Sequence, residues 1–148
     1  MQAKTLAEIR AFNRYYTGIL GLLDQHILNS PFSLPEARVL YELSQREGVQ
    51  ASGIIESLGI DKGYLSRMLD QFTNQKLIVR KRSEADGRLM HIYLTEKGRK
   101  EFERLNLASD EQLKELLVAL PSSDLEQLVR HMASITAILQ KAQAAKEQ

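Results

Sequence analysis

Apolar side chains recur along this chain at two spacings, and the switch between them marks its organisation. From residue 5 to 28, Leu6, Ile9, Phe12, Tyr16, Leu20, Leu23 and Ile27 stand mostly three or four apart, the spacing of one helical face. Asn29-Ser30-Pro31 ends this helix, because the residue before a proline avoids the helical region. Ser33-Leu34-Pro35-Glu36 has the form of a capping box and opens a second helix. That helix carries Ala37, Leu40, Tyr41 and Leu43 to about Arg46 and is expected to stop at Gly48. A third, short helix spans roughly Ser52 to Leu58 and closes on Gly59, and Asp61 is placed to cap a fourth. In the fourth, Leu65, Met68, Leu69 and Phe72 fall at i, i+3, i+4 and i+7.

The period then drops to two. Leu77 to Arg82 and Leu89 to Leu94 are rich in strand formers and flank the polar turn SEADGR, so a hairpin is expected. On its second strand Leu89, His91 and Tyr93 share one side; Met90, Ile92 and Leu94 share the other, which is expected to pack on the core. Thr95 caps a helix through Phe102, Leu105, Leu113, Leu116 and Leu117 to Leu120. Pro121 interrupts it, and a last helix carries Leu125, Leu128, Val129, Met132, Ile135 and Leu139. Two helices joined by a short glycine turn and followed by a hairpin describe a winged helix-turn-helix. The fold expected is mainly α with a small β-hairpin wing. It forms one domain over 1–148, with a winged lobe at 33–100 and flanking helical regions at 1–30 and 101–148.

What the fourth helix turns outward suggests its chemistry. Opposite the apolar stripe lie Gly63, Arg67, Asp70, Gln71 and Asn74, with Tyr64 and Ser66 on the flanks. Such donors and acceptors suit base edges and phosphates. Arg80, Lys81 and Arg82 alternate sides of a strand, so about two of the three can reach phosphates, and Arg88 sits at the hairpin tip, within reach of a narrow groove. Net charge changes the picture only when it is divided. Residues 62–100 hold ten Lys or Arg against four acids, a balance of +6, and the remainder carries −5, which together make the +1 of the whole chain. A basic middle in an acidic frame is the footprint of a nucleic-acid face. Plainer readings stand beside these: a solvated charge run, an exposed pair between Arg67 and Asp70, packing of Tyr64 against the wing, and an ordinary polar turn at Asp86 and Arg88.

The terminal helices carry more apolar residues than a compact module of this kind needs. A homodimer burying them is expected, and a two-fold pair would set the reading helices roughly 34 Å apart on an inverted repeat. A helical bundle within one chain is the alternative.

Other classes find little support. Cysteine is absent, which excludes disulfides and thiolate metal sites. His26, His91 and His131 are isolated in sequence, so no metal is expected, and neither a nucleophile constellation nor a glycine-rich phosphate cradle is present, so neither catalysis nor a cofactor is expected. No apolar run approaches the roughly 20 residues of a membrane span, and the amino-terminal stretch lacks a secretory apolar core, so no membrane association and a cytoplasmic location are expected.

Residues 51–99, ASGIIESLGIDKGYLSRMLDQFTNQKLIVRKRSEADGRLMHIYLTEKGR by motif, resemble the MarR family of bacterial transcription regulators. Asp86-Gly87-Arg88 matches the family's Asp-x-Arg at the wing tip, and Leu94-Thr95-Glu96-Lys97-Gly98 matches the Leu-Thr-x-x-Gly that starts the next helix. The resemblance implies a homodimer on a pseudo-palindromic site of double-stranded DNA, usually repressing and often released by a small aromatic or anionic ligand. It implies that Arg88 enters the minor groove with Asp86 paired to its guanidinium. Lys62, Tyr64, Ser66 and Arg67 would contact the major groove and its phosphates, and Ser52 the backbone. Gly63-Tyr64 is similar to the MarR-like halves of acetyltransferase fusions, although no acetyl-CoA loop is found in the sequence. A non-catalytic interaction or regulatory module is therefore the alternative function. Tyr15, Tyr16, His26 and Arg38 are candidate effector contacts.

Overall fold

A computed structural model describes residues 2–21 and 27–145. In chain order its elements are α1 (Ala3–Ile19), α2 (Leu34–Gln45), α3 (Ala51–Leu58), α4 (Lys62–Asn74), β1 (Ile78–Arg82), β2 (Met90–Leu94), α5 (Glu96–Leu117) and α6 (Ser122–Ala144). A turn over Ile27–Asn29 precedes α2. The chain divides into two compact units, 1–109 and 110–148, with the division inside α5.

Every buried hydrophobic residue among those described lies between Phe32 and Leu105. Val39, Leu40 and Leu43 of α2, Ile54 of α3, the stripe of α4, Leu77 and Ile78 before and in β1, and Ile92 and Leu94 of β2 form one cluster. Phe72 is the largest of its fully buried side chains, edge-on to Phe32 with ring centroids 6.2 Å apart. Each such side chain contributes about 1.5–3 kcal/mol when removed from water, so this cluster sets the lobe's stability.

Local signals place these elements. Ser33 and Glu36 form the expected capping box, with the Glu36 carboxylate accepting the Ser33 backbone N–H at 2.7 Å. α3 ends on Gly59 in the left-handed region at φ 61. β1 and β2 pair antiparallel from Ile78 opposite Leu94 to Arg82 opposite Met90. Val49 and Ile92 exchange both backbone hydrogen bonds, at 3.1 and 2.8 Å, which ties the segment after α2 to the hairpin. Thr95 joins hairpin to α5: its hydroxyl accepts the Gly98 N–H at 3.0 Å and donates toward the Lys76 carbonyl at 2.7 Å. Gly98 is required there, since a Cβ would collide with the Leu77 carbonyl.

Three expectations change. The first helix stops at Ile19 and not near residue 28, because Gly21 takes φ 62 and leaves the helix although the apolar period continues past it. Leu23 and the rest of 22–26 lie outside the described residues. α2 ends at Gln45, where Arg46 turns extended at φ −158, ahead of Gly48. Met90 shares the strand face of Ile92 and Leu94 but is 42% exposed, because that end of the hairpin projects beyond the core.

Candidate nucleic-acid interface

α4 is held at its start by Asp61, whose carboxylate accepts the Tyr64 backbone N–H at 2.8 Å. A side chain at Gly63 would press on that carboxylate, at 3.2 Å, so the glycine has a local reason beside its place on the outward face. Burial of Leu65, Met68, Leu69 and Phe72 fixes the rotation of α4 about its axis. Lys62, Gly63, Tyr64, Ser66, Arg67, Asp70, Gln71 and Asn74 are consequently all exposed. Among the described residues Arg67 forms no ion pair, so the exposed pair with Asp70 is not made. Asp70 instead holds Arg80 of β1, Oδ1 to Nη2, at 2.8 Å.

Strand alternation sorts the basic residues of the wing. Arg80 and Arg82 lie opposite Ile92 and Met90, on the face that carries buried Ile78. Lys81 takes the other face, with Nζ 5.3 Å from the centre of the Tyr93 ring. Ser52 on α3, Lys62 and Ser66 on α4, and Arg80 on β1 line one cleft of about 410 Å³, floored by Leu65, Leu69 and Ile92. Four of the residues singled out from sequence thus converge, although they come from three elements.

The wing loop is built on its own hydrogen bonds. The Ser83 hydroxyl accepts from the backbone N–H groups of Ala85 and Asp86, both at 3.3 Å, and the Ser83 N–H donates to the Leu89 carbonyl at 2.9 Å. The Asp86 carboxylate accepts the Arg88 backbone N–H at 2.9 Å. The expected pairing of Asp86 with the Arg88 guanidinium is absent: the carboxylate folds the loop, and the exposed guanidinium makes no ion pair among the described residues. Sequence reading missed Ser83, although a serine ahead of Asp and Gly in a turn is a recognisable signal.

The proposed effector contacts separate. Arg38 lines a cavity of about 290 Å³ together with Tyr41, Phe102 and Leu105. Tyr41 and Phe102 stand 6.2 Å apart between ring centres, and neither was singled out. Tyr15 and Tyr16 do not line this cavity, Tyr16 being stacked on Phe12, and His26 lies outside the described residues. Among the described residues no group of three His, Asp or Glu could hold a metal ion, and no helix is long and apolar enough to cross a membrane.

Comparisons with known proteins agree with this geometry. Residues 30–89, from the turn before α2 to the wing loop, match the model of the MarR family. The chain is 34% identical over 92 residues to the organic hydroperoxide resistance transcriptional regulator of Bacillus subtilis (strain 168), covering 62% of this chain and 58% of that protein. It is 31% identical over 101 residues to the HTH-type transcriptional regulator MgrA of Staphylococcus aureus, covering 68% of this chain and 65% of that protein. The chain thus spans less than two thirds of the length of either relative. In fold it is similar to Streptococcus pneumoniae FabT, solved in complex with DNA, with a TM-score of 0.78, 16% identity, and coverage of 93% of this chain and 98% of that one. Its capped helix α4, its hairpin and its matched residues make the chain similar to the MarR family.

Proposed function

We propose that this chain is a sequence-specific double-stranded DNA-binding transcription regulator, acting as a homodimeric repressor of a nearby operon. One observation carries the reading: an exposed polar face on α4, its rotation fixed by a buried stripe, stands beside a hairpin bearing Arg82 and an Arg88 that forms no ion pair among the described residues. Lys62, Tyr64, Ser66 and Arg67 are the major-groove and phosphate contacts, Ser52 and Arg82 contact backbone, and Arg88 enters the minor groove.

The terminal helices support the dimer. Neither α1 nor α6 buries a single residue, and Ile9, Phe12, Val129 and Ile138 are 50%, 49%, 66% and 64% exposed. Surfaces of this kind in obligate dimers often cover more than about 2,000 Å². Two-fold symmetry then requires an inverted-repeat operator. The cavity beside Arg38, Tyr41 and Phe102 supports release by a small aromatic anion, since a guanidinium and two rings match a carboxylate on a ring.

Gel-shift titration against DNA upstream of the gene tests the reading. Binding should be sequence-selective, and with about eight phosphates neutralised log K should fall against log salt with a slope near −7. Arg88→Ala should weaken specific binding by about tenfold or more; equal affinity in that variant would refute the wing assignment.

A further inference from the structure

Arg80 is basic, lies on the wing and was expected to reach phosphates, yet its guanidinium is already committed. It bonds Asp70 at 2.8 Å across ten residues of sequence, joining the reading helix α4 to the first strand of the hairpin. Among the described residues this is the one ion pair between those two elements. The Arg80 side chain is 31% exposed against 62% for Asp70, so the arginine is the more enclosed partner. It stands between two hollows, one lined by Ser52, Lys62 and Ser66 and the other by Thr73, Asn74 and Lys76. Backbone bonds hold only the root of the hairpin to α4: the Leu77 N–H donates to the Phe72 carbonyl at 2.9 Å. Farther out, the hairpin joins α4 through the shared apolar cluster and this one ion pair.

The carboxylate has its own consequence. Asp70 is an acid on the outward face of α4, where DNA phosphates would approach. Arg80 neutralises it, and a bidentate-capable guanidinium fixes direction as well as charge.

We propose that Arg80 is a positioning residue which, through Asp70, sets the wing against the reading helix, and that it is not a phosphate contact. The proposal rests on the DNA-binding reading above. It inverts the effect of removing the acid. If Arg80 touched phosphate, Asp70→Asn would remove a competitor and strengthen binding. If the pair positions the wing, Asp70→Asn weakens specific binding despite the added positive charge.

The test is a double-mutant cycle on a DNA site selected by the wild-type protein, using Asp70→Asn, Arg80→Gln and the double variant, with Arg88→Ala alongside. Each single change should weaken specific binding by about tenfold, and the double variant by about tenfold and not a hundredfold, because both changes break one interaction. The double variant should keep the wild-type salt slope, whereas loss of a phosphate contact would flatten it by about one. Without DNA, amides of the hairpin should exchange faster in Asp70→Asn while those of α2 keep their protection, which separates a loosened wing from an unfolded lobe. Tighter binding by Asp70→Asn, additive losses, or a flatter slope in the double variant would each overturn the proposal. If the wild type selects no site, the DNA-binding reading fails; if it selects one and Arg88→Ala loses it while Asp70→Asn does not, only this inference fails.

Discussion

The winged lobe and the terminal helices treat their apolar residues in opposite ways. Between Phe32 and Leu105 the stripes of α2, α3 and α4 close on one another and on the hairpin, and Val39, Leu40, Ile54 and Phe72 are wholly buried. α1 and α6 also carry apolar stripes, yet no residue of either helix is buried. Periodicity reports that a face will be covered, but not by what. A stripe covered within its own chain makes a core; one left open is, on the proposed reading, where a second copy packs.

Three substitutions break or sharpen that contrast. Phe72→Ala removes the largest fully buried side chain of the closed stripe and should cost about 3–5 kcal/mol in urea unfolding, since the surrounding side chains close the cavity only in part. An unchanged midpoint would mean that the lobe's stability lies elsewhere. Ile138→Glu acts on the open stripe, where 64% of the residue is exposed. It should weaken self-association on the order of a hundredfold in light scattering, as a charge placed in an apolar interface does, while α4 and the hairpin keep their hydrogen-exchange protection. An unchanged mass would remove α6 from the proposed dimer surface. The smallest effect belongs to the seam between α4 and β1, where Lys76 holds φ 60. Lys76→Gly should raise stability by about 0.5–1 kcal/mol in thermal melting, because glycine adopts that conformation without the Cβ clash. A loss of stability would show that the lysine side chain contributes more than its backbone strain costs.

Legibility followed the range of the interactions. Ser33 with Glu36, Asp61 and Thr95 were readable because a cap acts within three residues of itself. The stripe of α4 was readable because one period decides which face is buried, and that also exposed Lys62, Tyr64, Ser66 and Arg67. The end of α1 was misplaced since apolar spacing runs straight through Gly21, whose backbone angle outweighs it. Met90 has the right parity for the core but the wrong distance along the hairpin, which alternation does not encode. The bond from Asp70 to Arg80 was not legible at all, because it depends on how a helix and a strand turn back on each other. The wing tip lies between these cases: Asp86 and Arg88 were singled out, but the carboxylate serves the Arg88 backbone and not its guanidinium.

On the proposed reading, the basic lobe and the open terminal stripes belong to a homodimer whose two α4 helices are related by a two-fold axis. Selection of duplex DNA from a random pool by the purified protein tests this most directly. The expected outcome is enrichment of one sequence present twice, as an inverted repeat with half-site centres about 10 base pairs apart. Recovery of a single unrepeated half-site, or no enrichment over the starting pool, would contradict it.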